Sequence, residues 1–315
     1  MITRRSVRIK AMQAIYAYEA TENADISQFE QNLVGSIQSV KLQYLYILLY
    51  LREVANFVEQ DAKIKASKYI KSEADKNFNT KLLSNSLIQY LNNDKEFLSE
   101  LKKAKIQALV EEDNVRSIYK KLVDSPVYKM YLANGKEFDI EEDKKVIRYL
   151  YEDILLQDEV FLQHTDECFL NWDDDAYLVV DAVREVIEKS KHELKLHLEK
   201  QRVKEKMQEL TDFGIQLFRK TIEHRKDYAA LIEPKLKNWD ADRLALLDVI
   251  LIRMALAEFF EFPSIPTKVT INEYLDIAKE YSTPKSKDFI NGILDSLMHD
   301  LKKQDKIKKT GRGLL

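Results

Sequence analysis

Arg4, Arg5 and Arg8 fall in the first turns of a helix that Thr3 is placed to cap, and Lys285 and Lys287 flank Ser286 at a second helix start after Thr283-Pro284. A cation in a first turn opposes the helix macrodipole by roughly 0.3–1 kcal/mol at an exposed site, so stability alone favours Asp or Glu there. The unsatisfied N–H groups of a helix start point outward. The chemistry open to such a pair of sites is phosphate binding, with the compensating charge expected from outside the chain. Bridges from these arginines to carboxylates of the same chain would remove that basis.

Around a helix at about 100° per residue, Val7, Ala11, Ala14, Ile15 and Tyr18 share one stripe, the expected core face. Arg4, Arg5 and Arg8 share a neighbouring face, with Gln13 and Tyr16 beyond it. A stacking ring and an amide beside three guanidinium groups can form an edge for unpaired RNA. The same residues also suit a solvated helix face with Tyr16 in the core.

Catalytic constellations are missing from the sequence. His192-Glu193 and His197 stand at i to i+5, which turns the two rings about 140° apart instead of stacking them as a zinc helix needs. His164, Asp166, Glu167 and Cys168, with Asp173, Asp174 and Asp175, hold ligand types without ligand spacing, and read as a solvated acidic loop. There is no Gly-rich phosphate loop and no dinucleotide fingerprint. The expectation is a protein that is not an enzyme and takes no cofactor or metal.

The elements that must position the cationic residues are helices. Six Gly and five Pro in 315 residues, with Leu, Lys, Glu, Ala and Ile dominant, predict an all-α protein of about two domains. The single cysteine, Cys168, excludes an internal disulfide and fits a reducing compartment, the cytoplasm most simply. The basic start does not read as a secretory signal. The apolar run 44–51 is far short of the ~20 residues that span a bilayer, and reads as a buried helix.

Net charge is −3 but uneven. Both ends are basic, the tail through Lys302, Lys303, Lys306, Lys308, Lys309 and Arg312 against Asp305. Residues 137–175 carry fourteen acids against Lys144, Lys145 and Arg148, a local net of −11. A polyanion is therefore expected at the ends and repelled by the middle.

Periodicity predicts helices from a Thr3 cap to Ala20, then near 29–70, 80–90, 94–122, 140–162 and 173–198, with breaks at Asn92-Asn93, Ser125-Pro126 and Asn134-Gly135. Ile140, Ile147, Leu150, Ile154 and Val160, with Leu178, Val183, Val186 and Ile187, form expected core stripes. Helices resume at 207–228, 240–260 after an Asp240 cap, 267–281 and 283–301. Thr283 is the expected cap of the last, with Pro284 at its first position. That helix should bury Ile290, Ile293, Leu294, Leu297 and Leu301. Gly292 interrupts it at a cost of about 1 kcal/mol against alanine, which implies close approach of another backbone, protein or ligand.

The two ends resemble the NusB family of transcription antitermination proteins. Residues Pro266-Thr267-Lys268-Val269-Thr270-Ile271-Asn272-Glu273, Ile277-Ala278-Lys279, Ser286 and Phe289-Ile290-Asn291-Gly292-Ile293-Leu294-Asp295 follow the family's C-terminal signature nearly position by position. Arg4-Arg5, Arg8, Ala11 and Gln13-Ala14-Ile15-Tyr16 resemble its arginine-rich first helix. The likeness covers 4–20 and about 207–301. It implies two packed helical bundles of NusB type, the N-terminal one (1–206) enlarged by inserted helices, a C-terminal bundle (207–302) and a basic tail (303–315).

The resemblance also implies a factor that binds single-stranded boxA-type RNA together with the small ribosomal protein NusE, as part of the antitermination complex that promotes ribosomal RNA transcription. Its RNA contacts carry over to Arg4, Arg5, Arg8, Gln13 and Tyr16, and more loosely to Ser286, Lys287, Phe289 and Asn291. Asp288 stands where a basic residue is usual and Lys285 where an acid is common, so the cation has moved by three positions. Phe289 and Asn291 also suit plain packing. The rival reading, from the acidic middle, is a helical protein–protein scaffold of the transcription machinery without RNA binding of its own.

Overall fold

The structure is a computed structural model, and residues 2–67, 69, 79–133, 139–189, 201–238 and 245–314 are described. The expected Asp240 cap, the Asn134-Gly135 break and the His192 and His197 pair lie outside the described residues. Fourteen α-helices and no strand occur among the described residues. In chain order they are α1 Arg4–Ala20, α2 Ile26–Ser67, α3 Ser86–Asn93, α4 Lys95–Ala104, α5 Glu112–Asp124, α6 Pro126–Ala133 and α7 Ile140–Tyr149. Then follow α8 Glu159–Cys168, α9 Trp172–Glu188, α10 Gln201–Glu223, α11 Arg225–Ile232, α12 Leu246–Glu261, α13 Thr267–Tyr281 and α14 Ser286–Lys303. The fold is all-α, as the composition requires. No helix among the described residues is long and apolar enough to cross a membrane.

Two compact units divide the chain, Gln38–Lys204 and Ile2–Ile37 with Glu205–Leu315. The sequence grouped α1 with the helices that follow it, and put a boundary near 206. In the structure α1 instead joins the C-terminal helices, because its apolar stripe packs on α12. The basic tail belongs to the same unit.

Within that unit α12 is the central element. Its sequence LLDVILIRMALAEFFE is apolar on every side, the pattern of a helix with no solvent face, and residues 250–259 are all buried. It packs against α1, α11, α13 and α14. Each fully buried Leu, Ile, Phe or Met contributes roughly 1.5–3 kcal/mol, so this helix can carry buried ionised groups. It carries three, Asp248, Arg253 and Glu258, spaced five residues apart. Around it Ile290, Ile293, Leu294, Leu297 and Leu301 of α14 are buried as their spacing requires. Gly292 is exposed, on the side of α14 away from that core.

In the other unit the run 44–51 is wholly buried. Two long helices expected there are broken. The 94–122 segment breaks at Lys105, which takes a left-handed conformation at φ 54° and opens a 3-10 turn, Ile106–Leu109. The 140–162 segment passes through a π turn, Leu150–Ile154, and a 3-10 turn before Asp158 caps α8. Val160, expected in the core, therefore faces solvent.

Candidate nucleic-acid interface

The start of α1 is built as its sequence requires. The Thr3 hydroxyl accepts the Ser6 N–H at 3.2 Å and the Ser6 hydroxyl accepts the Thr3 N–H at 3.0 Å, a reciprocal cap that satisfies two orphan donors. This fixes the direction in which Arg4, Arg5 and Arg8 leave the first turns. Contrary to the sequence expectation, all three are compensated from within the chain, so uncompensated charge at this helix start no longer argues for an outside anion.

Arg4 Nη2 donates to Glu209 at 2.7 Å, with both side chains open to solvent at 45% and 63% exposure. Arg5 bridges Glu273 through Nε and Nη2, both at 3.1 Å, and reaches Asp276 at 2.8 Å. The Glu273 hydrogen bond outweighs partial burial and raises the Arg5 guanidinium above its ordinary value. Arg8 is buried, and pairs Nε and Nη2 with the two oxygens of Glu258 at 2.6 and 3.0 Å, while Nη1 meets Glu273 at 3.2 Å.

Glu258 is the node of this arrangement. Besides Arg8, its carboxylate accepts Thr270 Oγ1 at 3.1 Å and Tyr274 Oη at 2.8 Å. Four donors on one carboxylate offset the desolvation that a buried charge suffers. Burial pushes the Tyr274 phenol well up, with the Glu258 charge adding to it. Burial alone would lower the Arg8 guanidinium; the Glu258 hydrogen bonds and charge raise it instead.

The partners differ in what they permit. An exposed ion pair contributes about 0–1 kcal/mol, so Arg4 can exchange Glu209 for a phosphate at little cost. Breaking a buried pair costs about 3–5 kcal/mol. Arg8 is therefore a structural residue that holds α1 on α12 and α13, and the assignment of a direct phosphate contact to it does not fit its burial. Further along α1, Tyr16 is 47% exposed and Gln13 half-buried, so Tyr16 is not a core residue. Arg5 and Tyr16 are eleven residues apart, which on an α-helix returns within about 20° of the same azimuth some 16 Å further along.

Beside Arg4 and Arg5 opens a cleft of about 470 Å³ whose lining includes Thr3, Pro266, Glu273 and Arg312.

The second predicted site is arranged otherwise than expected. α14 begins at Ser286, with Lys285 at the cap position, so Thr283 does not cap it and Pro284 lies before its first turn. Asp248 of α12 draws the turn inward, accepting Ser282 Oγ at 2.6 Å and Ser286 Oγ at 2.7 Å. Ser286 is buried in that contact, which removes it from direct ligand binding. Phe289 is buried and Asn291 half-buried, so packing is the role the structure gives Phe289. Lys285 is exposed and Lys287 half-buried, with Asp288 exposed beside them.

Glu258, Asp276, Glu209 and Asp248 were not singled out in the sequence, and Glu273 was named only as part of the C-terminal signature. One signal was available for two of them: Asp248, Arg253 and Glu258 are the charges inside an otherwise apolar helix. Arg253 forms a two-point pair with Glu19 at 2.6 and 2.8 Å, securing the far end of α1.

Several acids of the 137–175 segment are spent on local structure. Asp139 caps α7, accepting the Glu141 and Glu142 N–H groups. Asp158 caps α8 through Phe161 N–H and pairs with Lys121 at 2.7 Å. Asp143 is buried and accepts the Ser86 N–H at 2.8 Å and Tyr131 Oη at 2.9 Å. Asp175 accepts Gln43 Nε2 at 3.2 Å. Nearby, His164 Nε2 lies 2.8 Å from the Leu109 carbonyl and 3.5 Å from Cys168 Sγ. Among the described residues no cluster of three or more His, Cys, Asp or Glu is placed to hold a metal.

The pattern that defines the NusB family matches residues 176–299, the span that contains Glu258, Glu273 and Asp248 but not α1. The transcription antitermination protein NusB of Salinibacter ruber (strain DSM 13855 / M31) is 42% identical over 104 residues, 33% of this chain and 65% of that protein. The protein of the same name from Chloroherpeton thalassium (strain ATCC 35110 / GB-78) is 39% identical over 104 residues, 33% of this chain and 49% of that protein. For that of Koribacter versatilis (strain Ellin345) the figures are 40% over 101 residues, 32% and 69%. The chain thus spans less than two thirds of the first two relatives. No solved structure matches.

Proposed function

The chain belongs to the NusB family, and from that premise we propose that it is a cytoplasmic transcription antitermination factor that binds single-stranded boxA-type RNA together with the small ribosomal protein NusE, without catalysis. The observation that carries the RNA part is the cleft beside the start of α1, where the solvent-exposed pairs of Arg4 with Glu209 and of Arg5 with Asp276 can give way to a phosphate while Arg5 stays held by the less exposed Glu273. Tyr16, exposed on nearly the same azimuth as Arg5, offers a ring for an unpaired base, a contact that contributes about 1–3 kcal/mol in single-strand binders. Gln13 lies between them on the chain. Lys285 and Lys287 supply cations at the start of α14, with Asn291 half-accessible behind them. Arg8 acts through position, holding the first turns of α1 in place.

The scaffold reading draws less support, because Asp139, Asp143, Asp158 and Asp175 of the acidic segment serve as caps and buried acceptors.

A filter-binding titration of the full chain with boxA-like and scrambled RNA, with and without NusE, tests the proposal. The expected result is tighter binding of the boxA-like strand, strengthened by the partner. Each phosphate contact to a single strand contributes about 0.7 to the slope of log K against log salt, so replacing Arg4 and Arg5 by Ala should flatten it by about 1.4. Equal, weak binding of both strands that NusE leaves unchanged would overturn it.

A further inference from the structure

After α14 the chain reverses at Asp305, in the left-handed region at φ 52°, and returns to the connection between α12 and α13. Its course is fixed by specific contacts. The Thr310 N–H donates to the Pro263 carbonyl at 3.0 Å. Lys309 Nζ donates to the Glu258 and Phe262 carbonyls, both at 2.9 Å, adding a second donor to each at the C-terminal end of α12, where they already accept the Phe262 and Ile265 N–H groups at 3.3 and 3.1 Å. Ile307 is buried. Gly313 lies so close to the Pro263 carbonyl that a Cβ there would sit 1.9 Å from its oxygen. The tail is thus a strap docked on the α12–α13 turn.

Docking gives the strap's cations a definite place. Arg312 lines the cleft that also holds Arg4 and Arg5. Its neighbour Gly313 lines a second cleft of about 510 Å³, with Lys268, Lys302, Lys308 and Lys309 against the one acid Asp305. Consecutive residues at the start of α13 line the two clefts, Pro266 the first and Thr267 the second. Lys268, Lys302, Lys308 and Arg312 are exposed and have no ion-pair partner among the described residues. In this they differ from Arg4, Arg5 and Arg8. Between the clefts, α13 starts without a side-chain cap and without an acid in its first turn, leaving N–H donors directed outward.

We infer that the docked strap is a second phosphate-binding surface, formed by Lys268, Lys302, Lys308 and Arg312, which extends the track of a single-stranded RNA from the Arg4 and Arg5 cleft across the start of α13. It rests on the RNA-binding reading above. Phosphates enter where cations lack carboxylates, so this surface supplies a large part of the salt-dependent affinity, while the α1 cleft receives the strand beside Tyr16.

The test is the same titration on the full chain, using boxA-like and scrambled single-stranded RNA, with two variants. The fourfold change of Lys268, Lys302, Lys308 and Arg312 to Ala should reduce the salt slope by about 2 to 3, at about 0.7 per contact. Gly313→Ala keeps every charge but forces the strap off Pro263, and should lose at least tenfold in affinity at low salt. If the wild type binds RNA and the fourfold variant keeps its slope, the strap surface is refuted while the function stands. A fourfold variant that weakens beside an unaffected Gly313→Ala protein also refutes it, because diffuse charge and not docking would then matter. If the wild type binds neither strand, both readings fall together.

Discussion

Arg8 and Glu258 stand 250 residues apart in the chain, yet meet through two hydrogen bonds of 2.6 and 3.0 Å with side chains only 3% and 0% exposed. The pair joins α1 to α12, and through Thr270 and Tyr274 to α13. Removing one partner leaves the other charge buried. Glu258→Ala should therefore cost about 3–5 kcal/mol, measured by urea unfolding monitored through far-UV circular dichroism. A double Arg8→Met, Glu258→Met variant should be less destabilised than either single change; single variants within 1 kcal/mol of wild type would contradict the role given to the pair.

Asp248 makes the same kind of link at the α13–α14 turn. Asp248→Ala removes the charged acceptor of the Ser282 and Ser286 hydroxyls, which keep only each other and Thr283, at about 1.5–3 kcal/mol for a hydrogen bond to a charged group. Amide hydrogen exchange should accelerate first at the start of α14. Protection there equal to wild type would show that Asp248 is dispensable.

Gly214, inside α10, faces the side chains of Val7 and Ile37. A Cβ there would lie 2.8 Å from Val7 Cγ1 and 3.1 Å from Ile37 Cδ1. In an open helix, Gly to Ala gains about 1 kcal/mol. Here overpacking, typically about 1–3 kcal/mol, should reverse the sign. A calorimetric melting temperature that rises in Gly214→Ala would refute this contact.

Lys309 supplies a pH dependence. Burial, reinforced by the charge of Lys302 and opposed by that of Glu258, brings its ammonium down to about 8 from 10.5. Between these values the folded protein has released a proton that the unfolded chain still holds. Stability from this residue therefore rises with pH across that window, having been lower below it. Subtracting the pH profile of Lys309→Met from that of the wild type should isolate the rise. A lysine titrating near 10.5 by NMR would contradict it.

Much of the helical framework was legible in the sequence, and for local reasons. The start of α1 at Thr3, the run 44–51, the break at Ser125-Pro126 and the stripe of α14 each depend on capping, proline geometry or periodicity over a few residues. The breaks at Lys105 and within 150–158 were not legible, because no glycine or proline marks them. The last helix starts later than Thr283 implies, since Asp248, 38 residues away from Ser286, draws the turn inward.

The family, the all-α class and the placing of positive charge at both chain ends were set by the sequence itself, since composition, periodicity and a local signature suffice for them. Which of those cations are available to a ligand was decided by tertiary packing alone. Periodicity says which face of α1 carries Arg4, Arg5 and Arg8, but the carboxylates that answer them come from 205 to 271 residues away. The tail read only as basic; its docking on Pro263 is what lines Arg312 up with the α1 cleft. An ion pair forms between groups that folding brings together, and no spacing along the chain encodes that meeting.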